Sequence, residues 1–314
     1  MKIAIIGPGF SEIPPKGWGA CEIIVWDYYT CLTKIGHEVK IINTTDYSEI
    51  TNIINKFNPD FVHCQYDNHT HVLNNFNCKK AVTTHFAYLE QPEKQGGYYH
   101  VFKQILDVDC YVFALSEGIK NTFINFGKER SKIIINHNGA RSDLFRYEEQ
   151  CKYQDKSLCI GKIEYRKRQA HTQLSNANVY FVGNYSNSSF NTSDKKYLGE
   201  WTKDNLYANM TEYANLVLLS DGEAHPLVTC EALISGLGLV ISEYAAANLD
   251  VSLPFIDIIP NNKIDDLNYI RQTIIENRKK SILYRKDIRE YALNNFDYDR
   301  SVIPRYIKNI KKII

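Results

Sequence analysis

No stretch of this chain approaches the roughly 20 consecutive apolar residues of a membrane-spanning helix, so an integral helical membrane protein is excluded. An excess of one charge is also missing: 37 Lys and Arg stand against 36 Asp and Glu, for a net charge of +1. A nucleic-acid binder carries a strong basic field, so no nucleic-acid partner is expected. The lysines of the basic C-terminal helix (Lys308, Lys311, Lys312) allow at most a peripheral membrane contact. There is no C-x-x-C among the eight cysteines. A secretory leader is not expected either: MKIAIIGPGF has one lysine and a short apolar run, and reads as a first strand. Free thiols in a reducing compartment, and a cytoplasmic location, are therefore expected. The glycine fingerprint of dinucleotide-binding proteins fails, because Glu12 stands where the third glycine after Gly7 and Gly9 belongs. Histidines 63, 69, 71 and 100 form no pair with metal-ligand spacing that a strand-to-helix loop would support. His69 and His71 could chelate only from a strand, and no metal is expected.

What is present is an ordinary soluble composition, 44% apolar and 23% charged, over 314 residues, enough for two domains. Its most informative stretch is residues 216–242. The apolar run from Leu216 to Leu219 reads as a buried parallel strand. A polar loop, Asp221-Gly222-Glu223, breaks it, and Pro226 suits the first turn of a helix. That helix reaches about Ser235, ends at Gly236, and is followed by a second strand, Leu239 to Ile241. Ligands bind beyond the carboxyl ends of strands in such units, and unpaired N–H groups at a helix start suit phosphate. Glu223 and Glu231 flank this start with seven residues between them. Spacing alone leaves two readings: acids that bind hydroxyls, or a surface acid and a helix-face acid in a structural unit.

The remainder repeats strand and helix, which predicts parallel sheets covered on both faces. Lys2 to Ile6 is the first strand, and a helix over 20–35 follows a long loop. Ser48 is expected to cap the next helix. Phe61 to Gln65 and Lys80 to Thr84 read as strands, the second delivering His85 at its carboxyl end. Residues 86–97 read as a flexible loop and Ser116 as a helix cap. The polar stretch from Tyr147 to Lys156 reads as an interdomain linker. After it comes a strand ending in Gly161, then the cationic group Arg166-Lys167-Arg168, which by itself fits a solvated basic face better than a binding role. His85 by itself fits a partly buried, hydrogen-bonded histidine.

Taken in order, these segments resemble the retaining glycosyltransferases of the GT-B fold, family GT4. The E-x7-E signature of that family is matched by Glu223, Leu227, Glu231, Ala232, Gly236 and Val240. Its paired-glycine loop is matched by Pro14-Pro15-Lys16-Gly17-Trp18-Gly19-Ala20-Cys21-Glu22, with Ala20 replacing the second glycine. Its G-R-x4-K pattern is matched by Gly161, Lys162 and Lys167, and its T-x-H by Thr83-Thr84-His85. The resemblance implies two Rossmann-like domains with the active site in the cleft between them. An acceptor domain would span 1–148, a donor domain 149–297, and a last helix, 298–314, would cross back to the first domain.

The implied activity is sugar transfer from a UDP- or GDP-sugar to a hydroxyl of a glycan, lipid or small molecule. It would proceed with retention and without a cofactor or metal. Lys162, Lys167, Gly19, Gly161 and the amides near Leu227 and Val228 would hold the donor's diphosphate. Glu223 would bind the sugar, Glu231 the ribose, and His85 would orient the sugar, while Trp18 and Ala20 would lie on the acceptor side. Ala20, Lys162, Ala224 and Pro226 depart from the family pattern. A nucleotide-sugar-binding relative without turnover therefore stays open, as does a phosphorylase or epimerase on the same fold.

Overall fold

A computed structural model describes all residues, 1–314. The chain divides into two compact units, one of 1–138 with 301–314 and the other of 139–300.

The first unit is built on β1 (Lys2–Ile6), β2 (Glu38–Ile42), β3 (Phe61–Cys64), β4 (Lys79–Val82), β5 (Tyr111–Ala114) and β6 (Ile133–Ile135). They pair in the order β2-β1-β3-β4-β5-β6, all parallel. Ile3 through Ile6 are wholly buried, as a central parallel strand covered on both faces requires. The covering helices are α1 (Ala20–Lys34), α2 (Tyr47–Phe57), α3 (Tyr99–Asp107) and α4 (Glu117–Asn125). β1 connects to β2 on one side and lies beside β3 on the other. The order reverses there, which opens a crevice at the carboxyl ends of β1 and β3.

The second unit holds β7 (Tyr153–Ile160), β8 (Val179–Val182), β9 (Tyr213–Leu218), β10 (Gly238–Ser242) and β11 (Ile256–Ile259). They form a parallel sheet in the order β11-β10-β9-β7-β8, whose reversal falls between β7 and β9. The helices of this unit are α5 (Gln169–Leu174), α6 (Lys203–Asn209), α7 (Leu227–Ile234), α8 (Leu267–Leu283) and α9 (Arg285–Asn295). The last helix, α10 (Ile303–Ile313), belongs to the first unit. Its Ile303, Tyr306, Ile310 and Ile313 are buried while Lys308, Lys311 and Lys312 are exposed. No helix is long and apolar enough to cross a membrane, and all eight cysteines are free thiols.

Two sequence expectations, the linker and the cap of the second helix, are corrected. The stretch expected as a linker is strand from Tyr153 onward, because Lys156 lays its ammonium over the Tyr153 ring at 3.9 Å and the Tyr180 ring at 4.8 Å. A polar, half-exposed strand end of this kind carries no apolar signal. The cap of α2 is Asp46, whose carboxylate accepts from the Ser48 and Glu49 amides at 2.8 and 3.1 Å; Ser48 lies inside the helix. Residues 86–97 form a connecting loop in which short 3₁₀ turns occupy Pro92–Lys94 and Gly96–Tyr98, and Gln95 bonds back to the Leu89 carbonyl at 3.0 Å. His69 and His71 lie in a 3₁₀ segment, Asp67–Asn75, not on a strand.

Candidate functional site

In the second unit two loops meet at the sheet's reversal point. The loop after β7 opens at Gly161 (φ 135°), which approaches Gly183 (φ 140°) at the end of β8. A Cβ on Gly183 would lie 2.2 Å from the Gly161 carbonyl oxygen, so only glycine lets these two strand ends close up. The loop then turns through Tyr165–Lys167 and returns Arg166 and Lys167 toward the loop after β9. The backbones join where Asp221 N–H donates to the Arg166 carbonyl at 2.7 Å.

Glu223 is the centre of this contact. Its Oε1 accepts from Ser220 Oγ at 2.7 Å and Arg166 Nη1 at 2.9 Å, and Lys167 Nζ lies 3.9 Å away. Arg166 also donates to the Gly222 carbonyl at 2.6 Å and to Glu164 at 2.7 Å, so both of its terminal nitrogens bond within the protein. Charge-assisted bonds of this kind fix a carboxylate's direction as well as its charge. Sequence reading placed the cationic role on Lys162 and Lys167 and missed Arg166 as the group that orients Glu223. Lys162 is exposed and makes no ion pair, while its carbonyl accepts from Gln169 Nε2 at 2.8 Å.

Glu223 leads through Pro226 into α7. Leu227 is half-buried and Val228 buried, and the amides of this first turn have no i−4 partner within the helix. The other end of α7 is held by cations. Arg285 donates to the Gly236 carbonyl at 3.2 Å, and Arg289 donates to the Ile234 carbonyl. The carboxylate of Glu231, half-buried in α7, has no hydrogen-bonding partner in the protein, while its carbonyl accepts from Ser235. Burial holds its carboxyl above the usual range, while Lys203 and Lys167 pull it back. Lys203, at the start of α6, was not singled out from sequence. The site thus joins an oriented acid, an acid whose carboxylate has no hydrogen-bonding partner, three cations and a helix start.

The first unit carries its own cluster. Gly19 precedes α1, with Trp18 half-buried and Ala20 exposed. Glu22, buried, packs its carboxylate where a Cβ on Gly19 would stand, 2.7 Å from Oε2. His85 follows β4, half-buried, and its Nε2 meets Gln65 Oε1 at 3.0 Å. Burial pushes the His85 imidazole down to about 4, so the ring is neutral near pH 7. Beside it Asp67 accepts from Thr84 Oγ1 at 2.6 Å and from the Tyr98 hydroxyl. Burial raises the Asp67 carboxyl above its ordinary value, and these two bonds counter the rise. No group of three His, Cys, Asp or Glu side chains could hold a metal ion.

No protein-family model matches this sequence, and no curated protein matches it. Solved structures do match. Sucrose-phosphate synthase from Thermosynechococcus elongatus superposes with a TM-score of 0.79 at 14% identity, covering 99% of this chain and 98% of that one. Anabaena HepE in complex with UDP and glucose gives 0.73 at 14% identity, with 99% of both chains covered. The apo lipopolysaccharide outer core galactosyltransferase WaaB gives 0.68 at 15%, covering 100% of both. The fold is GT-B. Its two Rossmann-like units are those described above, and similarity at this level of identity concerns the fold alone.

Proposed function

We propose that this protein is a glycosyltransferase that takes its sugar from a nucleotide-sugar donor, UDP- or GDP-linked, and transfers it to an acceptor hydroxyl with retention. The observation that carries this reading is the contact at the reversal of the second sheet. There Arg166 and Ser220 aim Glu223, and the Glu231 carboxylate is left without a hydrogen-bonding partner eight positions later. An acid held by protein donors suits sugar hydroxyls, and an acid with no partner suits the ribose diol. Lys167 and the Leu227 and Val228 amides would take the charge that develops on the departing diphosphate, without metal. Gly161, Gly183 and Gly19 allow close backbone approach. From the first unit His85 would orient the sugar, with Trp18 and Ala20 on the acceptor side. The chain would work in the cytoplasm, with a glycan, lipid or small molecule as acceptor. The fold agrees, since HepE has been solved with UDP-glucose.

A second reading, donor binding without turnover, has two observations in its favour. Lys162 projects into solvent without a partner, and Pro226 supplies no N–H at the helix start. One experiment separates the two. Thermal shifts with UDP, GDP, ADP and their sugars are measured on the wild type, Glu231→Ala and Lys167→Ala, followed by product analysis on the stabilising donor. A ligand at about 100 times its Kd adds ~2.7 kcal/mol to the folded state. Stabilisation by one nucleotide series, lost in both variants and accompanied by glycoside, is the expected outcome. Stabilisation without product supports the binding protein, and no stabilisation by any nucleotide overturns both.

A further inference from the structure

Behind His85 lies a chain of buried polar groups that fixes which ring nitrogen His85 leaves for a ligand. It begins in α10. The Tyr306 hydroxyl is wholly buried and has one hydrogen-bonding partner, His63 Nδ1, at 3.1 Å. A buried O–H with a single acceptor in reach donates to it, because an unused donor costs about 1–3 kcal/mol. His63 Nδ1 is therefore the acceptor nitrogen, and the proton of the neutral ring sits on Nε2, which reaches Thr83 Oγ1 at 2.9 Å. Burial holds His63 down to about 3, so a doubly protonated ring does not enter near neutrality.

Gln65 carries the consequence onward. Its Nε2 lies 3.3 Å from His63 Nδ1. An acceptor nitrogen there must face the amide N–H, so the carbonyl Oε1 must face the other way, toward His85 Nε2 at 3.0 Å. His85 must then carry its proton on Nε2 and present a bare Nδ1. Reversing the His63 tautomer would turn the Gln65 amide over and put the His85 proton on Nδ1. Every link is buried: His63 is 0%, Gln65 1%, Thr83 2% and Tyr306 0% exposed, so water does not substitute for a missing partner.

We infer that Tyr306, His63 and Gln65 are positioning residues that lock His85 as the Nε2–H tautomer, so that its Nδ1 meets a ligand as a hydrogen-bond acceptor. The partner at that atom is then a donor group, such as a sugar hydroxyl, and not a phosphate or carboxylate oxygen. The identity of that ligand rests on the function proposed above; the tautomer does not.

The test uses the full chain, labelled with ¹⁵N in its histidine rings and free of nucleotide sugar. Long-range ¹H–¹⁵N correlation at neutral pH reads the tautomer of each ring. The expected wild-type pattern is a protonated Nε2 and bare Nδ1 on both His63 and His85. Tyr306→Phe, which touches neither His85 nor Gln65, moves His85 toward a mixture of tautomers. Gln65→Met breaks the link, so that adding Tyr306→Phe to it no longer changes the His85 signals. Overturning results are a wild-type His85 protonated on Nδ1, or a Tyr306→Phe protein in which His63 shifts and His85 does not. Should Tyr306→Phe fail to fold, Gln65→Glu decides. When ionised its carboxylate can only accept, so His63 turns a proton toward it and reverses its tautomer while His85 keeps Nε2–H; an unchanged His63 beside a substituted carboxylate that infrared shows to be ionised overturns the relay. Coupling in the spectra without any sugar transfer bears out the relay and overturns only the functional reading.

Discussion

At the carboxyl ends of β3 and β4 one set of polar groups is uncharged, Tyr306, His63, Thr83, Gln65 and His85, joined by hydrogen bonds, with the Asp67 carboxyl held separately by Thr84 and Tyr98. At the ends of β7 and β9 the same structural position is charged, with Arg166 and Lys167 gathered on Glu223. Both sheets are parallel, both reverse their order nearby, and both must satisfy polar groups at a strand end. The difference lies in what each can do. A neutral chain transmits orientation, because each tautomer or amide has two states and each choice forces the next. A charged cluster neutralises, and it can hold an anion whose charge grows during bond breaking. On the proposed function, the first unit would direct a hydroxyl and the second would receive a diphosphate.

The comparison breaks most strongly at Arg166. Replacing it with alanine leaves the half-buried Glu223 with only Ser220 and a lysine 3.9 Å away. Removing a donor that itself contacts the developing charge costs about 10²–10³ in turnover; Arg166 acts through Glu223, so kcat/KM for the nucleotide sugar should fall by up to that order. Arg166→Lys restores charge without the fork and should recover only part of it. An Arg166→Ala protein within threefold of wild type would show that the charged cluster is only structural.

Acid distinguishes the two units next. Burial lowers His63 to about 3 and His85 to about 4, and burial together with Arg305 lowers His137 to about 4; all three belong to the first unit. A depressed histidine binds fewer protons folded than unfolded. Its stabilisation is complete above the unfolded value near 6.5, and it is lost as pH falls from there toward the folded value. The slope is at most about 1.4 kcal/mol per pH unit for each ring. Hydrogen exchange between pH 7 and 5 should show β3 and β4 losing protection faster than β9 and β10. Equal loss in both units would contradict the neutral character assigned to the first.

How much of this could be read beforehand follows from how local each signal is. β9, α7 and β10 were legible because an apolar run, Pro226, Gly236 and a second run lie within 27 residues. Gly236 takes φ 84° after the helix, as a chain-reversing glycine should. Glu223, Lys167 and His85 were legible as chemistry-bearing groups at strand ends. Arg166 was visible only as one of three cations, since its partner stands 57 positions away. The Tyr306–His63 bond spans 243 positions, and no periodicity or motif reports it. The first half of β7 was hidden because its cross-strand tyrosines and lysine stack instead of burying an alternating apolar face. Asp46 was overlooked for Ser48 because both are good cap residues two apart, and only the amide geometry chooses between them.

The smallest expected effect tests the charged side at its edge. Pro226 is the cap residue of α7, with φ −70° and ψ 126°, an extended conformation that other residues also adopt. Pro226→Gly therefore adds an N–H beside Leu227 and Val228 without requiring the helix to move. If the helix start binds the diphosphate, one more donor should tighten donor binding several-fold, up to about tenfold for a bond to a charged group. Glycine also gives the unfolded chain more freedom, which lowers stability by about 0.4–1 kcal/mol. Tighter binding of the nucleotide sugar by a slightly less stable protein is thus the expected signature, read by calorimetric titration and melting on the same sample. Lower stability with unchanged affinity would remove the α7 amides from the diphosphate site and leave Lys167 to carry that charge.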